Sequence, residues 1–457
     1  MSSDPTPGQR RRVLWLSTIA FTLLFGVWLM LGILGIPISK ELGLTRGQMY
    51  WLTIVAILAG ALPRFNFGVW ADIYGGRKVF TLLLLAVTVP TFWVSRATSY
   101  TELLVCAMLF GLAGNAYTAG IAWTAAWFPK ERQGLALGVF GAGNVGASVT
   151  KLIGPPLIAL IPAAGFFSGS IPGGWRFIPV LYTVLLLVMA AVIWFGTPTN
   201  DRCPARGRSY REIMAPLKQS RAWQFSLHYV VMFGAYVALS AQLPAYYNDN
   251  YGESLARSLG LSGETLDHFL TIQALKGDAR ATYLSQHPQV AKDLTWLLTT
   301  IGWLASICYI FPASLLRPLG GWLSDKYGAK GVTLAMFWSM IASGLVLSLP
   351  LNLGVWPFTV FLFVLGCGMG IGKASVYKMI PDFFPRGVGA VGGIVGMLGA
   401  LGGVLTPFLW WPLEAWTGQP QMVFAAVLLL TLASTVWFHL DLVKLRRESL
   451  ALATATS

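Results

Sequence analysis

Residues 62–78 read LPRFNFGVWADIYGGRK, and residues 316–330 read LRPLGGWLSDKYGAK. In both stretches an arginine stands eight residues before an aspartate, a glycine stands four residues before it, and a tyrosine and a glycine follow it closely. Each stretch is typical of an apolar helix that carries one buried arginine and ends in a basic, glycine-containing turn. Repetition of such a pattern predicts two homologous halves, which bring Arg64 and Arg317 to a shared centre.

The composition is typical of a membrane protein. Of the 457 residues, 55% are hydrophobic and only 11% are charged, whereas soluble domains carry about 25% charged residues. The mean hydropathy is +0.64. The formal net charge of +14 does not indicate a nucleic acid partner, because the basic residues lie mostly in short loops. We therefore expect the lipid bilayer, and no nucleic acid, as the surroundings of this chain.

Apolar runs of roughly 20 residues are long enough to cross a bilayer, and the sequence contains twelve of them. They are predicted at 13–37, 50–72, 79–97, 101–127, 133–161, 175–196, 223–248, 294–320, 331–349, 355–383, 387–413 and 420–440. The predicted fold class is an all-α membrane protein with twelve transmembrane helices in two pseudo-symmetric six-helix halves. The predicted organisation is a first half at 1–200, a cytoplasmic linker at 201–222 and a second half at 223–457. A further polar stretch, 249–293, has mixed charge and room for a short helix.

The distribution of basic residues predicts the orientation, because loops that face the cytoplasm carry an excess of lysine and arginine. With the N-terminus inside, the inner segments hold nineteen such residues and the outer segments eight. Four of those eight lie in the long stretch 249–293, which counts less. Both termini are therefore expected in the cytoplasm.

Cysteines and histidines give no sign of a metal site. The four cysteines (Cys106, Cys203, Cys308 and Cys367) are scattered without the spacing of a disulfide framework or of metal ligands. The four histidines (His228, His268, His287 and His439) are expected to form no ligand cluster. No nucleophile, metal set or cofactor-binding motif is recognisable, so we expect no cofactor, no metal and no catalytic residue. This protein is predicted not to be an enzyme.

Apart from Arg96 and Arg176, which stand at span ends, five basic residues fall inside predicted spans: Arg64, Lys151, Arg317, Lys373 and Lys378. None of the eighteen acidic residues falls in the middle of a span. A cation in hydrocarbon costs several kcal/mol and persists only where it faces a partner or a watery cavity. Arginine remains protonated and presents a planar fork of donors that fits planar oxyanions. The arginine pair therefore predicts a site for an anionic ligand.

The alternative is that Arg64 and Arg317 only cap helix carbonyls or extend to the membrane surface. Both lie about 12 Å inside the aspartate of their motif, at a rise of about 1.5 Å per residue, which is deep for such an extension. Lys378 lies closer to the end of its predicted span, and for it we expect a side chain that reaches the surface.

Glycines recur at spacings of three and four residues in spans five and eleven. Such spacing clears one helix face, so that another helix can approach closely and slide along it. The alternative is tight packing without movement. The glycines assigned to these faces are Gly138, Gly141, Gly143, Gly146, Gly392, Gly393, Gly396 and Gly399.

Span five also carries two polar side chains on one face. Asn144 lies among the glycines, and Lys151 follows it seven residues later, a separation that keeps both on the same side of a helix. An isolated asparagine is often only an interhelical hydrogen bond. Beside an arginine pair we favour contact with the ligand.

The repeated motif resembles the loop motif of the major facilitator superfamily, and the resemblance covers all twelve spans. It implies a transporter that opens alternately to the two sides of a membrane, and it says nothing about the substrate. The residues that the motif assigns to gating are Gly68, Asp72, Arg77, Gly321, Asp325 and Lys330.

A closer similarity is to the nitrate/nitrite porter family. It rests on Arg64 in span two, Arg317 in span eight and the two glycine signatures, of which the first contains Asn144. The resemblance implies that the two arginines clamp the anion and that Asn144 is the asparagine of the family signature.

The same resemblance implies aromatic contacts to the anion. Tyr236, in span seven, fits the position of a tyrosine that contacts substrate. Members of the family hold the anion between aromatic rings of spans four and ten, and the candidates here are Tyr117 and Tyr377. Both are tyrosines at positions where phenylalanine is expected.

Residues 148–151, which read SVTK, are similar to the branch of the family that is usually assigned to nitrate/proton symport. The resemblance therefore implies a nitrate importer that is coupled to protons. We also expect a functional monomer and a location in a bacterial inner membrane. Arginine cannot carry the coupled proton, because its pKa is too high, but a buried lysine can. We expect Lys151 first, and Lys373 second, as the coupling group. A permanently charged lysine that only raises the positive potential of the path is the alternative.

Nitrate/nitrite antiport is the main alternative for the function, followed by transport of another small anion. Three other classes are disfavoured. A passive channel would show flux without saturation. A membrane enzyme would need a nucleophile, a metal set or a cofactor motif, and a sensor would need an added signalling domain.

Overall fold

The computed structural model describes residues 4–162, 165–167, 171–275 and 277–455. Within these ranges twelve helical spans are long and apolar enough to cross a membrane, and each overlaps one predicted span, which confirms the predicted all-α class. Their bounds are Pro7–Gly35, Gly47–Tyr74, Gly76–Val94, Tyr100–Trp127, Lys130–Ile158, Gly174–Gly196, Ser220–Ser258, Pro288–Tyr327, Ala329–Ser348, Val355–Phe383, Val388–Thr417 and Met422–Arg447.

Several of the first six spans consist of two helices joined at a break. The helices are α1 (Pro7–Trp28), α2 (Leu31–Leu42), α3 (Arg46–Ala61), α4 (Arg64–Tyr74), α5 (Gly76–Val94), α6 (Tyr100–Phe110), α7 (Ala116–Trp127), α8 (Lys130–Gly141), α9 (Gly146–Leu160) and α10 (Phe177–Gly196). Tight 3₁₀ turns at Gly111–Asn115 and Ala142–Val145 join the two parts of spans four and five, and Gly174–Arg176 opens span six.

The linker and the last six spans contain the remaining helices. They are α11 (Tyr210–Met214), α12 (Ser220–Tyr229), α13 (Ala235–Ser258), α14 (Gly263–Asp267), α15 (Phe269–Ala274), α16 (Gly277–Gln286), α17 (Pro288–Ala305), α18 (Phe311–Leu315), α19 (Arg317–Tyr327), α20 (Ala329–Ser348), α21 (Val355–Phe383), α22 (Val388–Leu405), α23 (Pro407–Thr417) and α24 (Met422–Ala455). Ala215–Lys218 forms a 3₁₀ turn, and wide π turns at Val230–Gly234 and Ser306–Ile310 interrupt spans seven and eight.

Proline breaks spans two and eight beside the arginines of the repeat. Pro63 precedes α4, and a proline follows Arg317 at the start of α19. Because proline has no N–H to donate, the carbonyl four residues earlier loses its helical partner. In span two this carbonyl belongs to Ala59, and it accepts a 3.2 Å hydrogen bond from Asn115 Nδ2 instead. The break therefore ties the end of α3 to span four.

The linker is held against the first six spans by Asp201. Its carboxylate accepts hydrogen bonds from the indole N–H groups of Trp123 and Trp127, both at 2.9 Å, and from the backbone N–H of Arg77 at 2.8 Å. We call the side of the molecule on which the linker lies the linker side, and the opposite side the far side.

Two aspartates of the repeated motif join the first six spans to the last six on the linker side. Asp72 Oδ2 accepts a 2.8 Å hydrogen bond from the backbone N–H of Gly389, near the start of α22. Asp325 accepts from the backbone N–H groups of Gly134 and Leu135 in α8, at 2.9 and 2.7 Å. We call these two contacts the linker-side latches. They are related by the repeat, since each aspartate binds a helix of the other group of six.

Glycine allows each latch to form at backbone distance. A Cβ atom on Gly68 would lie 2.2 Å from the carbonyl oxygen of Gly389, and one on Gly321 would lie 2.0 Å from that of Gly134. Both separations are far below van der Waals contact, which is about 3.5 Å or more between carbon atoms. A larger residue at either position would therefore force the helices apart.

Lys378 strengthens the second latch. Its Nζ lies 3.4 Å from an Asp325 carboxylate oxygen and 3.5 Å from one of Asp382, and it donates a hydrogen bond to the carbonyl of Lys130. The side chain is buried. The expectation that it extends to the membrane surface is therefore wrong, because the fold places the carboxylate of span eight within its reach.

Arg77 and Lys330, the basic residues near the ends of the two motif copies, each contact an aromatic ring. The guanidinium carbon of Arg77 is 4.3 Å from the Trp194 ring centroid, and its Nε donates to the Trp194 carbonyl at 3.0 Å. The Nζ atom of Lys330 is 5.0 Å from the Phe383 ring centroid. Each contact stays within its own group of six spans.

The two groups of six meet mainly at the centre and on the linker side. There α4 packs on α22, and α8 packs on α19. The helices that reach the far side pack chiefly within their own group, with α9 on α1, α17 on α13 and α23 on α24. This conformation is therefore latched on the linker side. Nearer the far side the two groups still meet where α3 packs on α22.

The polar stretch 249–293 is more helical than predicted. Extensions of α13 and α17 form its two ends, and α14, α15 and α16 lie between them. Asp293, in α17, holds the start of α14 in place. Its carboxylate accepts hydrogen bonds from the hydroxyl groups of Ser262 and Thr265, both at 2.7 Å.

This packing brings two histidines together, so the expectation that the histidines form no ligand cluster is wrong for His268 and His287. A side-chain nitrogen of each and a carboxylate oxygen of Glu264 all lie within 4.8 Å of one another. The sequence did not indicate the cluster, because His287 is nineteen residues from His268 and only the fold of α14–α17 closes that gap.

Candidate anion-binding site

Arg64 lies at the centre of the molecule and is fully buried, with 0% of its surface exposed. Its Nε donates a 2.8 Å hydrogen bond to the carbonyl of Gly60, and its Nη1 donates a 2.9 Å bond to the carbonyl of Gly396 in span eleven. Its Nη2 has no hydrogen-bond partner among the residues that the structure describes. One donor of the buried guanidinium is therefore available to a ligand.

Arg317 occupies the related position in span eight and is 1% exposed. Its Nη1 and Nη2 donate to the hydroxyl oxygens of Tyr117 and Tyr229, at 3.2 and 3.3 Å. Its Nε, like Arg64 Nη2, has no partner within the described ranges. Each arginine therefore keeps one buried donor unpaired.

Both arginines contact the same two aromatic rings. The Arg64 guanidinium carbon lies 5.8 and 5.9 Å from the ring centroids of Tyr117 and Phe233, and that of Arg317 lies 5.5 and 5.8 Å from the same two centroids. The two rings are nearly parallel, with an interplanar angle of 6° and centroids 6.4 Å apart. Arg64 also lies 5.0 Å from the ring of Trp28 in span one.

The two hydroxyl groups on Arg317 form a directed chain. The Tyr229 hydroxyl donates to the Tyr117 hydroxyl at 2.9 Å. Tyr117 thus accepts hydrogen bonds from both Tyr229 and Arg317, and its own hydroxyl hydrogen has no acceptor among the described residues. A tyrosine hydroxyl can both donate and accept, so Tyr117 provides a further unused donor beside the arginines.

Electrostatics at this centre favour an anion. No carboxylate within the described ranges forms an ion pair with Arg64 or Arg317. Contacts with aromatic faces are worth about 0.5–2 kcal/mol each, whereas burying a cation costs several kcal/mol. The rings therefore offset only part of the cost of two buried like charges, and an anion held between them would offset more.

Asn144 lies one turn beyond Gly141, at the 3₁₀ turn of span five. A Cβ atom on Gly141 would lie 2.7 Å from Arg317 Nη1, which places this turn against the guanidinium. Asn144 is buried, and neither its Nδ2 nor its Oδ1 has a hydrogen-bond partner among the described residues. A buried amide without partners is costly, and contact with a ligand would satisfy it.

The other two predicted aromatic residues take different positions. Tyr377 is buried, and its ring lies edge-on to that of Tyr117 at 5.1 Å. Its hydroxyl donates to the carbonyl of Gly392 at 3.0 Å. Tyr236 does not bond an arginine; its hydroxyl pairs with Ser314 Oγ at 3.0 Å. The structure thus brings Tyr117 to both arginines, whereas Tyr236 and Tyr377 lie in the surrounding shell.

Sequence reasoning missed Tyr229 and Phe233, which contact the arginines directly. Both belong to span seven, as does the predicted Tyr236. In a regular helix Tyr229 and Tyr236 would share a face, being seven residues apart. The π turn at Val230–Gly234 adds one residue to the helix, and this turns the later part by about 100°. The change in pitch explains why Tyr229, and not Tyr236, reaches Arg317.

The two lysines proposed for coupling are placed differently. Lys373 is fully buried, donates a 3.0 Å hydrogen bond to the carbonyl of Ala313, and holds its Nζ 3.2 Å from the Tyr236 ring centroid and 5.6 Å from that of Phe233. Lys151 is exposed and lies about 10 Å beyond Asn144 toward the far side, from the helical rise. Lys373 is thus the lysine beside the aromatic rings of the site.

The predicted glycine face of span five lies against two other spans. A Cβ atom on Gly138 would lie 2.4 Å from the Arg317 carbonyl oxygen. On Gly143 and Gly146 it would lie 2.5 and 1.9 Å from atoms of span one. Span five therefore approaches both span one and span eight at backbone distance.

The glycine face of span eleven is equally close, with one exception. A Cβ atom on Gly393 would lie 2.6 Å from the backbone of span two, one on Gly396 would lie 2.8 Å from side chains of spans four and ten, and one on Gly399 would lie 2.3 Å from a ring atom of Tyr229. On Gly392 the nearest atom would be 3.6 Å away, which is ordinary contact.

The sequence profile described as Major Facilitator Superfamily matches residues 16–264 and 270–454. The fold is similar to the crystal structure of the transporter FucP in the outward conformation, with a TM-score of 0.64, 14% identity, and coverage of 93% of this chain and 98% of that one. It is also similar to the human organic anion transporter MFSD10, with a TM-score of 0.63 and 13% identity over 95% of this chain and 100% of that one. This chain belongs to the major facilitator superfamily, and it is a membrane transporter and not an enzyme.

Similar proteins of known name indicate which family within the superfamily this chain belongs to. The chain is 50% identical to the probable nitrate/nitrite antiporter NarK1 of Thermus thermophilus, over 96% of this chain and 93% of that protein. It is 27% identical to the nitrite extrusion protein of Bacillus subtilis (strain 168), over 93% of both chains. It is 24% identical to the probable nitrate transporter NarT of Staphylococcus haemolyticus, over 90% and 91%. Within the superfamily, the chain belongs to the nitrate/nitrite porter family.

Proposed function

We propose that this protein carries nitrate across a membrane by alternating access and binds the anion between Arg64 and Arg317. The observation that carries the proposal is that two buried arginines share the same two aromatic rings, and each keeps one donor unpaired. Nitrate is planar and carries one negative charge, which suits a pair of planar guanidinium groups. The names of the relatives supply the identity of the anion.

Bound anion would also drive the conformational change. Without it, two positive charges face each other across the two groups of six spans, and they resist closure of the far side. Nitrate reduces this repulsion and so favours the occluded state and then release of the linker-side latches. Each group of six contributes one arginine and one latch aspartate, which supports rigid halves at 1–200 and 223–457, a connecting linker at 201–222, and a monomer as the working unit.

Import of an anion into a negative interior costs about 2.3 kcal/mol per 100 mV, so transport must be coupled. One candidate is nitrate/proton symport, with Lys373 or Lys151 as the group that changes charge. The other is nitrate/nitrite antiport, and the relative with 50% identity is named as such an antiporter. A site built from two arginines serves antiport without any proton-carrying group, because arginine does not titrate.

The linker side is proposed to face the cytoplasm of a bacterial cell, across the inner membrane. The support is the excess of lysine and arginine in segments on that side. The linker-side latches then close the cytoplasmic side in this conformation, while the two arginines stay buried at the centre.

Proteoliposomes test the function and the coupling together. Uptake of labelled nitrate is measured with and without an inward proton gradient and with and without nitrite inside. Symport predicts accumulation that follows the proton gradient without internal nitrite, whereas antiport predicts uptake that requires nitrite or nitrate inside. Absence of nitrate uptake under all conditions, or flux that rises linearly without saturation, would contradict the proposal.

A further inference from the structure

A cluster of metal-ligand side chains lies in the far-side stretch 249–293, apart from the arginine site. It consists of Glu264 in α14, His268 at the end of α14, and His287 immediately before α17. The three potential ligand atoms lie within 4.8 Å of one another, and the two imidazole rings have their centroids 5.4 Å apart.

The His287 ring is held in place by the helix that precedes it and by a neighbouring ring. Its Nδ1 lies 3.0 Å from the backbone carbonyl oxygen of Tyr283, to which a neutral imidazole donates its N–H. This leaves the Nε2 lone pair free, which is the usual arrangement when a backbone carbonyl supports a metal-binding histidine. The Tyr283 ring stacks on His287 at 4.4 Å with an interplanar angle of 19° and so fixes the plane of the imidazole.

The two segments that carry the ligands are also held together by contacts that do not involve the cluster. Asp293 in α17 accepts hydrogen bonds from the hydroxyl groups of Ser262 and Thr265, which begin α14. Glu264 and His268 therefore stay close to His287. A site whose supporting contacts are in place loses little entropy when it binds an ion.

We propose that Glu264, His268 and His287 bind one divalent transition-metal ion of the zinc type. Two imidazoles and one carboxylate suit Zn²⁺, whereas Ca²⁺ and Mg²⁺ prefer oxygen ligands. Ligand atoms around tetrahedral zinc are about 3.3 Å apart, given bond lengths of about 2.0–2.1 Å. Glu264 is exposed, and its carboxylate has no hydrogen bond or ion pair within the described ranges, so it is free to rotate inward. Water completes the coordination.

The bound ion would fasten α14 to the far-side end of span eight, the span that carries Arg317. It would therefore stiffen the far-side stretch without taking part in anion binding. The competing interpretation is that His268, Tyr283 and His287 form an aromatic cluster that only packs, in which case the side chains have no affinity for zinc.

Zinc titration of the purified full-length protein separates these interpretations. The protein is prepared without a polyhistidine tag, and binding is measured by competition with a chromophoric chelator. We expect one Zn²⁺ per chain. Loss of a support residue typically costs 10- to 100-fold in affinity, so His268→Ala and His287→Ala should each lower the affinity by about 100-fold or more. The matched control is His439→Ala, which changes an exposed histidine outside the cluster and should bind zinc as the unmodified protein does.

Glu264→Gln provides a second variant in case the histidine variants misfold, because it changes an exposed side chain and conserves its size. It should also weaken zinc binding, and added zinc should raise the unfolding temperature of the unmodified protein more than that of this variant. The proposal is overturned if the unmodified protein binds zinc no more tightly than the double variant of His268 and His287, or if Glu264→Gln binds zinc unchanged.

Discussion

At the scale of single residues, the most specific prediction concerns nitrate binding by the hydroxyl group of Tyr117. It accepts hydrogen bonds from Tyr229 and Arg317 and keeps its own hydrogen for an anion. A hydrogen bond to a charged group is worth about 1.5–3 kcal/mol, so Tyr117→Phe should raise the KM for nitrate by about 10- to 100-fold. Tyr377→Phe is the matched control, since its hydroxyl bonds the Gly392 carbonyl instead, and its KM should change little. Equal effects of the two variants would contradict the assignment.

Lysine variants decide whether a proton is carried by the protein. If Lys373 is the coupling group, Lys373→Gln should abolish accumulation driven by a pH gradient while nitrate/nitrite exchange continues. Lys151→Gln should keep the pH dependence and lose only affinity, because that side chain lies about 10 Å from Asn144. Counterflow and gradient-driven uptake in proteoliposomes measure the two activities separately. If accumulation follows the pH gradient in both variants, symport coupled through either lysine is wrong.

The sequence could predict Arg64 and Arg317 as neighbours because a repeated motif fixes equivalent positions in two halves, whereas Tyr117 came from the resemblance to the nitrate/nitrite porter family. It could not predict Tyr229, since the π turn of span seven changes which residues share a face. Nor could it predict that Lys378 pairs with Asp325, a contact that depends on how spans eight and ten pack. The roles of the two arginines and of Tyr117 in transport stay predictions.

At the scale of helices, two adjacent glycines of span eleven should respond differently to the same change. A Cβ atom on Gly393 would lie 2.6 Å from the backbone of Phe65, whereas one on Gly392 would meet nothing closer than 3.6 Å. Gly393→Ala should therefore force span eleven away from span two and slow transport. Gly392→Ala should be tolerated and should stabilise the helix by roughly 0.5–1 kcal/mol.

Thermal unfolding and initial rates of nitrate uptake measure both effects. The account of the glycine face fails if Gly393→Ala transports and unfolds like the unmodified protein. The prediction from sequence covered the spacing of these glycines. It did not distinguish Gly392 from its neighbours, because only the packed structure shows which glycine faces a backbone.

At the scale of the whole molecule, the twelve spans were predictable because their length and hydropathy reflect the bilayer and not the details of packing. The helical extensions of α13 and α17 into the polar stretch were not, because their stability comes from tertiary contacts such as that of Asp293 with Thr265. The same contacts closed the distance between His268 and His287.

If the linker-side latches hold this side closed, weakening one of them should shift the whole molecule toward a conformation that is open on the linker side. Asp325→Asn removes the charge that binds two backbone N–H groups of α8 and Lys378, so the linker side should open more often. Spin labels at positions 131 and 327, in a variant without native cysteines, report the distance across this latch. We expect a longer and broader distance distribution in Asp325→Asn. An unchanged distribution would show that the latch does not hold this side closed.

Equilibrium binding of nitrate to the purified protein tests the central claim most directly. We predict saturable binding of one nitrate per chain and loss of binding by at least about 10-fold in both Arg64→Lys and Arg317→Lys, because lysine keeps the charge but lacks the planar fork. Arg257→Lys, which changes an exposed arginine paired with Glu253, should bind as the unmodified protein does. Nitrate affinity that is unchanged in both Arg64→Lys and Arg317→Lys would contradict the account.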